Sequence, residues 1–212
     1  MPNTNKTLPL GYVGGDIMTH GSQLARQEEC DKMDAAGLKV TYYSPAQNKS
    51  INDKSNVTEE ENNRLAEKIT AADIERLWNS DFAVMCAEQS AIGTLCEIGC
   101  LFGWKYMADM LLEICDEVGT LEEVVVSQEK QAEIGVRLVQ EIARISNKNV
   151  FAHCFDIRNT NLNEKGWRRS FSINQLLHGM LLYCTRDWKI HPNFDSVLEE
   201  LKKLYKEDTT NE

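Results

Sequence analysis

Between Asp81 and Gly103 the chain reads DFAVMCAEQSAIGTLCEIGCLFG, and no other stretch limits the possible folds as strongly. A short apolar run, Phe82 to Ala87, passes through a polar, glycine-containing turn into a helical pattern. Strand, loop and helix N-terminus in that order are the unit from which open α/β sheets build sites at the carboxyl ends of their strands. The first turn of the expected helix carries Glu97, and two readings of it stand side by side. In one, Thr94-Leu95-Cys96-Glu97 is a capping box that satisfies backbone N–H groups at the helix start. In the other, Glu97 is a catalytic carboxylate kept ionised by the helix end and aimed at the mouth of the sheet.

The chain on either side agrees with an α/β sheet. Leu10 to Gly14 (LGYVG) reads as a buried strand, and Gly14-Gly15-Asp16 turns out of it. A helix from about Ser22 to Ala36 follows, with Leu24, Met33 and Ala36 among its apolar positions and Gly37 as the residue that ends it. Leu38 to Tyr43 (LKVTYY) is β-branched and aromatic, and Pro45 stops it. Strand, helix, strand is a βαβ unit, which implies a parallel sheet. A polar connection, Ser44 to Asn56, leads to a helix capped at Thr58 and running to about Trp78. Asp73 falls in its last turns, where a carboxylate opposes the helix dipole unless something else uses it.

The Glu97 helix continues past Lys105, and a second helical pattern carries Ile134, Val136, Leu138, Val139, Ile142 and Ile145. Together they predict a helical insertion at about 108–147, able to cover the sheet or meet another subunit. Asn149 to Ile157 reads as the fourth strand, Arg158 to Arg169 as a polar loop, Ser172 to Tyr183 as an apolar helix and Asn193 to Tyr205 as a last amphipathic helix. The expected organisation is a polar tail (1–9), one α/β domain (10–207) and a mobile tail (208–212). The expected fold is a flavodoxin-like, doubly wound parallel sheet.

The 33 acidic and 23 basic residues leave a net charge of −10, which disfavours binding to a phosphate backbone. Neither a signal peptide nor an apolar run of membrane-spanning length is visible, so a cytoplasmic protein is expected. The cysteines, including Cys86, Cys96, Cys100, Cys115, Cys154 and Cys184, read as reduced core residues. Cys96 and Cys100 share a helix face, but no second pair at ligand spacing accompanies them, so no metal is expected. Asp81 reads as structural, and His178 as a core or interface histidine. His20 and Asp16 lie in the first loop, where they could border a pocket.

Four motifs in order, Tyr12-Val-Gly-Gly, Asp73 ahead of Asp81-Phe-Ala-Val, Gly93-Thr94-Leu95-Cys96-Glu97-Ile98-Gly99 and Ile173-Asn174-Gln175-Leu176-Leu177-His178-Gly179, resemble the nucleoside 2-deoxyribosyltransferase family. The likeness covers roughly 10–107 and 148–184, and the GTxxEIG run is its most specific part. It implies that Glu97 is the nucleophile at the anomeric carbon, that Asp73 hydrogen-bonds the nucleobase and that Tyr12 orients Glu97. Gly14, Gly15, Asp16, Gly93 and Thr94 are then substrate-binding positions. Asn174 would be lent to the sugar end of the site by a neighbouring subunit of a homo-oligomer. The implied partners are a deoxynucleoside and a free nucleobase, with no cofactor.

One position departs from the family. An aspartate six residues before the nucleophile commonly helps protonate the departing base, and here that position is Ala91. Asp73 alone, or Glu88, Gln89 or Ser90, would have to replace it. Two alternatives therefore accompany the transferase reading: an N-glycoside hydrolase of deoxynucleosides or nucleotides, and a nucleoside-binding module without catalysis. Asn174 suits a neutral hydroxyl better than a phosphate, whereas Arg168 and Arg169 could reach one.

Overall fold

The computed structural model describes residues 8–48, 58–118, 129–154, 173–185 and 188–206, with backbone alone at 61, 114–118 and 129–134. Strand β1 (Leu10–Gly14) leads into helix α1 (His20–Ala35) and strand β2 (Thr41–Tyr43). A 3-10 turn at Pro45–Gln47 precedes helices α2 (Glu59–Asn63) and α3 (Leu65–Asn79), strand β3 (Phe82–Cys86) and helix α4 (Ile92–Val118). Helix α5 (Glu129–Ser146), strand β4 (Asn149–His153), helix α6 (Gln175–Cys184), strand β5 (Ile190–His191) and helix α7 (Phe194–Tyr205) follow.

All the strand pairs are parallel, in the order β2-β1-β3-β4-β5. The fold is the expected α/β, flavodoxin-like parallel sheet. Successive side chains on a strand point to opposite faces, so each strand feeds two cores. Tyr12, Ala83, Met85, Val150 and Ala152 pack with Leu77 of α3, Ile98 and Leu101 of α4, and Leu177 and Leu181 of α6. Val13, Phe82, Val84 and Phe151 pack on the other face with Met33 of α1 and Phe194, Val197 and Leu201 of α7. All five residues of β3 are buried, as a strand covered on both faces requires. Strand order reverses between β1 and β3, the switch point at which such sheets open a crevice beyond their carboxyl ends.

Several expectations need correction. Helix α4 begins at Ile92, with the Leu95 N–H already donating to the Ala91 carbonyl, so Glu97 lies in the second turn and Thr94 inside the helix. The capping-box reading fails for that reason. Helix α1 starts at His20, because Thr19 accepts from the Ser22 N–H and caps it. Leu24 is exposed, and the buried stripe is Arg26, Glu29, Cys30 and Met33. Gly37 does follow α1, at φ +66°. Strand β2 begins only at Thr41, and the helix expected from Thr58 is broken at Arg64. β4 is not the last strand, since Ile190 and His191 add a fifth.

The insertion has the expected form of a helical hairpin: Ser146 at the end of α5 donates to Asp109 midway along α4, so α5 returns along α4. Tyr183 of α6 donates to the same carboxylate. Cys30, Cys86, Cys154 and Cys184 are buried, but Cys96 is exposed and Cys100 only half-buried. The polar loop containing Arg168 and Arg169, Cys115 as a side chain, and the tails at 1–7 and 207–212 lie outside the described residues. No helix among the described residues is long and apolar enough to cross a membrane.

Candidate functional site

At the β1/β3 switch point the sheet brings Glu97 against Tyr12. Tyr12 sits midway along β1 in register with Tyr43 of β2 and Ala83 of β3, so its ring is fully buried while its hydroxyl reaches α4. That hydroxyl donates to Glu97 Oε1 at 2.7 Å. Glu97 Oε2 is buried and has no hydrogen-bond partner among the described residues. Of the two oxygens, one is held and the other is left for chemistry. A methyl group on Gly14 would lie 2.9 Å from Oε2 and 3.0 Å from the Tyr12 ring. Glycine at 14 is therefore what lets the strand end approach the carboxylate.

Asp73 joins the same site through Tyr43. The Tyr43 hydroxyl donates to Asp73 Oδ1 at 3.0 Å and accepts from Asn48 Nδ2 at 3.0 Å. The Tyr12 and Tyr43 rings lie 5.8 Å apart, and the Arg76 guanidinium sits over the Tyr43 ring. This accounts for a carboxylate late in α3: a neighbouring strand uses it.

Burial pushes the Glu97 carboxyl up to about 7; the Tyr12 hydrogen bond opposes this and the nearby Asp73 charge adds to it. Burial also raises Asp73, against the Tyr43 hydrogen bond. Tyr12 is pushed far up, first by burial and then by the charge of Glu97, so it remains a phenol and a donor. The site holds two carboxylates, and no cation among the described residues is bonded to either. It therefore suits a reaction in which positive charge develops on the ligand.

The other expected residues are placed as follows. Gly15 turns to the opposite face of the sheet, against Arg26. Asp16 is buried and accepts from the Met18 N–H and the Ser22 hydroxyl, which ties the loop to the start of α1. Gly93 is exposed and Thr94 buried, both in the first turn of α4. Asn174 caps α6, its Oδ1 accepting from the Leu176 and Leu177 N–H groups, and is exposed. Asp81 accepts from the Leu10 N–H at 2.7 Å, as a structural residue. His20 is exposed and His178 half-buried.

Ala91 is 2% exposed at the head of α4. Of its suggested substitutes, Glu88 interacts with Arg26, Glu29 and Cys86 across the sheet, and Gln89 and Ser90 are exposed. Asp73 is the acid left beside Glu97.

Sequence reasoning missed Tyr43 and Asn48, although Tyr43 ends a strand in register with Tyr12 and so had to share its crevice. It also missed a second polar cluster. Arg26, Glu29, Cys86 and His153 meet on the α1 face, all buried. Ligand atoms of Glu29, Cys86 and His153 lie within 4.8 Å of one another, a spacing compatible with a metal. The Arg26 guanidinium already supplies the positive charge there, donating to Glu29 Oε1 at 2.7 Å and bonding Cys86. Burial holds His153 well below its usual value, hence neutral, and keeps Cys86 a thiol.

No protein-family model matches the chain. No curated protein matches it either. Among solved structures, the crystal structure of a conserved protein from Enterococcus faecalis V583 superposes with a TM-score of 0.56 at 16% identity, covering 93% of this chain and 99% of that one. At that identity the likeness shows a shared fold, over nearly the full length of both chains.

Proposed function

We propose that this protein is a nucleoside 2-deoxyribosyltransferase that moves a 2-deoxyribosyl group between nucleobases through a covalent glycosyl–Glu97 intermediate. The observation that carries the reading is the Tyr12–Glu97 pair at the switch point, with one carboxylate oxygen held at 2.7 Å and the other unpartnered. The four motifs of the family resemblance support it by falling on this crevice or on the helices beside it.

The chemistry follows from the charges. Glu97 Oε2 attacks the anomeric carbon, the carbon–nitrogen bond breaks, and its electron pair leaves with the base. Asp73, raised by burial, hydrogen-bonds the base and gives it a proton where the base needs one. An incoming base then attacks the same carbon, the ester bond breaks back to the Glu97 carboxylate, and Asp73 recovers a proton. Two inversions give net retention, the logic of retaining glycosidases. Water in place of the second base gives hydrolysis. Ala91, which cannot transfer a proton, is the feature that favours a binding module without catalysis. Completion of the sugar end by a partner's Asn174, and hence a homo-oligomer, belongs to the proposal too.

The test is incubation with deoxyinosine or thymidine, with and without adenine or cytosine, followed by chromatography. A new deoxynucleoside formed only with acceptor base is the expected result. Free base alone makes the protein a hydrolase. No reaction, with the monophosphates included, removes the enzymatic reading and leaves a binding module.

A further inference from the structure

Gly14 and Gly15 are adjacent, yet they face opposite polar groups. A Cβ on Gly14 would meet Glu97 Oε2 at 2.9 Å, and a Cβ on Gly15 would meet Arg26 Nη1 at 1.8 Å and Cζ at 2.7 Å. Two residues of backbone thus separate the candidate nucleophile from a guanidinium that is 1% exposed. We propose that Arg26 is a positioning residue: its guanidinium, fixed by Glu29, supports the Gly14–Asp16 loop from the α1 face and so holds Tyr12 and Glu97 together on the other. This rests on the reading of Glu97 as the reacting carboxylate.

Three observations converge on this role. First, Arg26 touches the ends of both strands that flank the switch point. Its partners come from the β1 loop at Gly15, from α1 at Glu29 and from the end of β3 at Cys86, with Glu88 near in the connection to α4. Second, His153 at the end of β4 lies 3.3 Å from Glu29 Oε1, which extends the cluster to the neighbouring strand. Third, a buried ion pair is a poor way to gain stability, because apolar residues of similar volume usually do as well or better. The pair does something apolar residues cannot: a planar fork sets fixed directions to several partners at once. Glycine at 15 lets that fork lie close against the loop.

The experiment compares the full-length protein with an Arg26→Met/Glu29→Met variant, which removes both charges and keeps volume, and with Arg26→Lys, which keeps charge without the fork. Two readouts are taken: base release from deoxyinosine, and titration of the Glu97 carboxyl by carbon-13 NMR, assigned through Glu97→Gln. The double variant is expected to melt within a few degrees of wild type, with kcat 10- to 100-fold lower and KM within about threefold. Lysine is expected not to restore kcat. The Glu97 titration, which Tyr12, Asp73 and Cys100 face in both proteins, is expected to move by at least half a pH unit as the loop shifts. A folded double variant with unchanged kcat and an unchanged Glu97 titration overturns the proposal. So does stoichiometric metal in the purified protein, since the guanidinium would then not be what ties the cluster together. The NMR readout decides the role of Arg26 even where wild type releases no base, an outcome that by itself removes only the transferase and hydrolase readings.

Discussion

Two buried polar clusters flank the carboxyl ends of the same strands, and they solve the problem of burial in opposite ways. On the α1 face, Glu29 is only 2% exposed and has Arg26 at 2.7 Å. On the α4 face, Glu97 has a phenol at 2.7 Å and a second carboxylate nearby, with no bonded cation among the described residues. The first arrangement sets a bonded cation against the carboxylate and ties down backbone, although burial still pushes Glu29 up to about 7. The second leaves charge unbalanced, which is unfavourable until a ligand brings positive character. A structural site is compensated by its own residues, whereas a functional site is compensated by what binds to it. The contrast supports the proposal that the reacting group is on the α4 face, although both clusters are rich in titratable side chains.

The sharpest way to break this contrast is to delete one carboxylate from each cluster. Glu97→Ala is expected to lower turnover at least about 10⁴-fold while leaving the protein folded, because a nucleophile has no substitute. Steady-state rates with circular dichroism on the same sample check this, and residual turnover above a few per cent removes Glu97 from its role. Glu29→Ala should do the reverse. It strands the Arg26 guanidinium in a dry site and is expected to cost about 3–5 kcal/mol of stability. Urea unfolding measures that; a loss below about 1 kcal/mol would mean that water already reaches the cluster.

How far these clusters could be read from the chain depends on whether their signals are local. Glu97 and Asp73 were legible: one follows a buried apolar run and a turn, the other sits where a helix dipole disfavours it. That β1, β3 and β4 are strands followed from their apolar runs, which strands covered on both faces tolerate. The helix start at Ile92 was not legible, because Thr94 and Glu97 have capping-box spacing while the turn from Glu88 to Ala91 decides where the helix begins. β5 is two residues long and exists only through its pairing with β4. Arg26 and Glu29 lay on the helical period with Cys30 and Met33, but charged residues on a buried stripe mean nothing until a partner is known. That partner, Cys86, is 60 residues away on β3.

Within the Glu97 cluster the Tyr12 hydroxyl can be removed alone. Tyr12→Phe keeps the ring in its core position and takes away the donor to Oε1. Turnover is expected to fall about 10- to 100-fold, the range of one charge-assisted hydrogen bond that also orients a nucleophile. The ascending, acid-side limb of the pH–rate profile sharpens the result. In wild type kcat/KM should rise with pH through about 7 as Glu97 ionises, and in the variant that limb should move to higher pH, because the bond to Tyr12 favours the carboxylate. A variant with wild-type rate and limb would make Tyr12 a core tyrosine only.

The smallest effect tests the lack of charge balance itself. Burial holds Glu97 near 7 in the folded protein, against an ordinary value of 4.5, so between those values the folded state binds more protons than the unfolded one. Stability from this group is therefore complete below about pH 4.5 and declines as pH rises to about 7, the reverse of a salt-bridged carboxylate such as one held below its ordinary range. Glutamine imitates the protonated form and escapes the decline. Glu97→Gln is expected to match wild type near pH 4.5 and to exceed it by up to about 3 kcal/mol above pH 7, a shift of several degrees in Tm for a chain of this size. Melting curves of both proteins at intervals from pH 4.5 to 8.5 give the difference directly. A difference that stays flat across that range would show that Glu97 is compensated in the folded state, and the contrast between the two faces of the sheet would disappear.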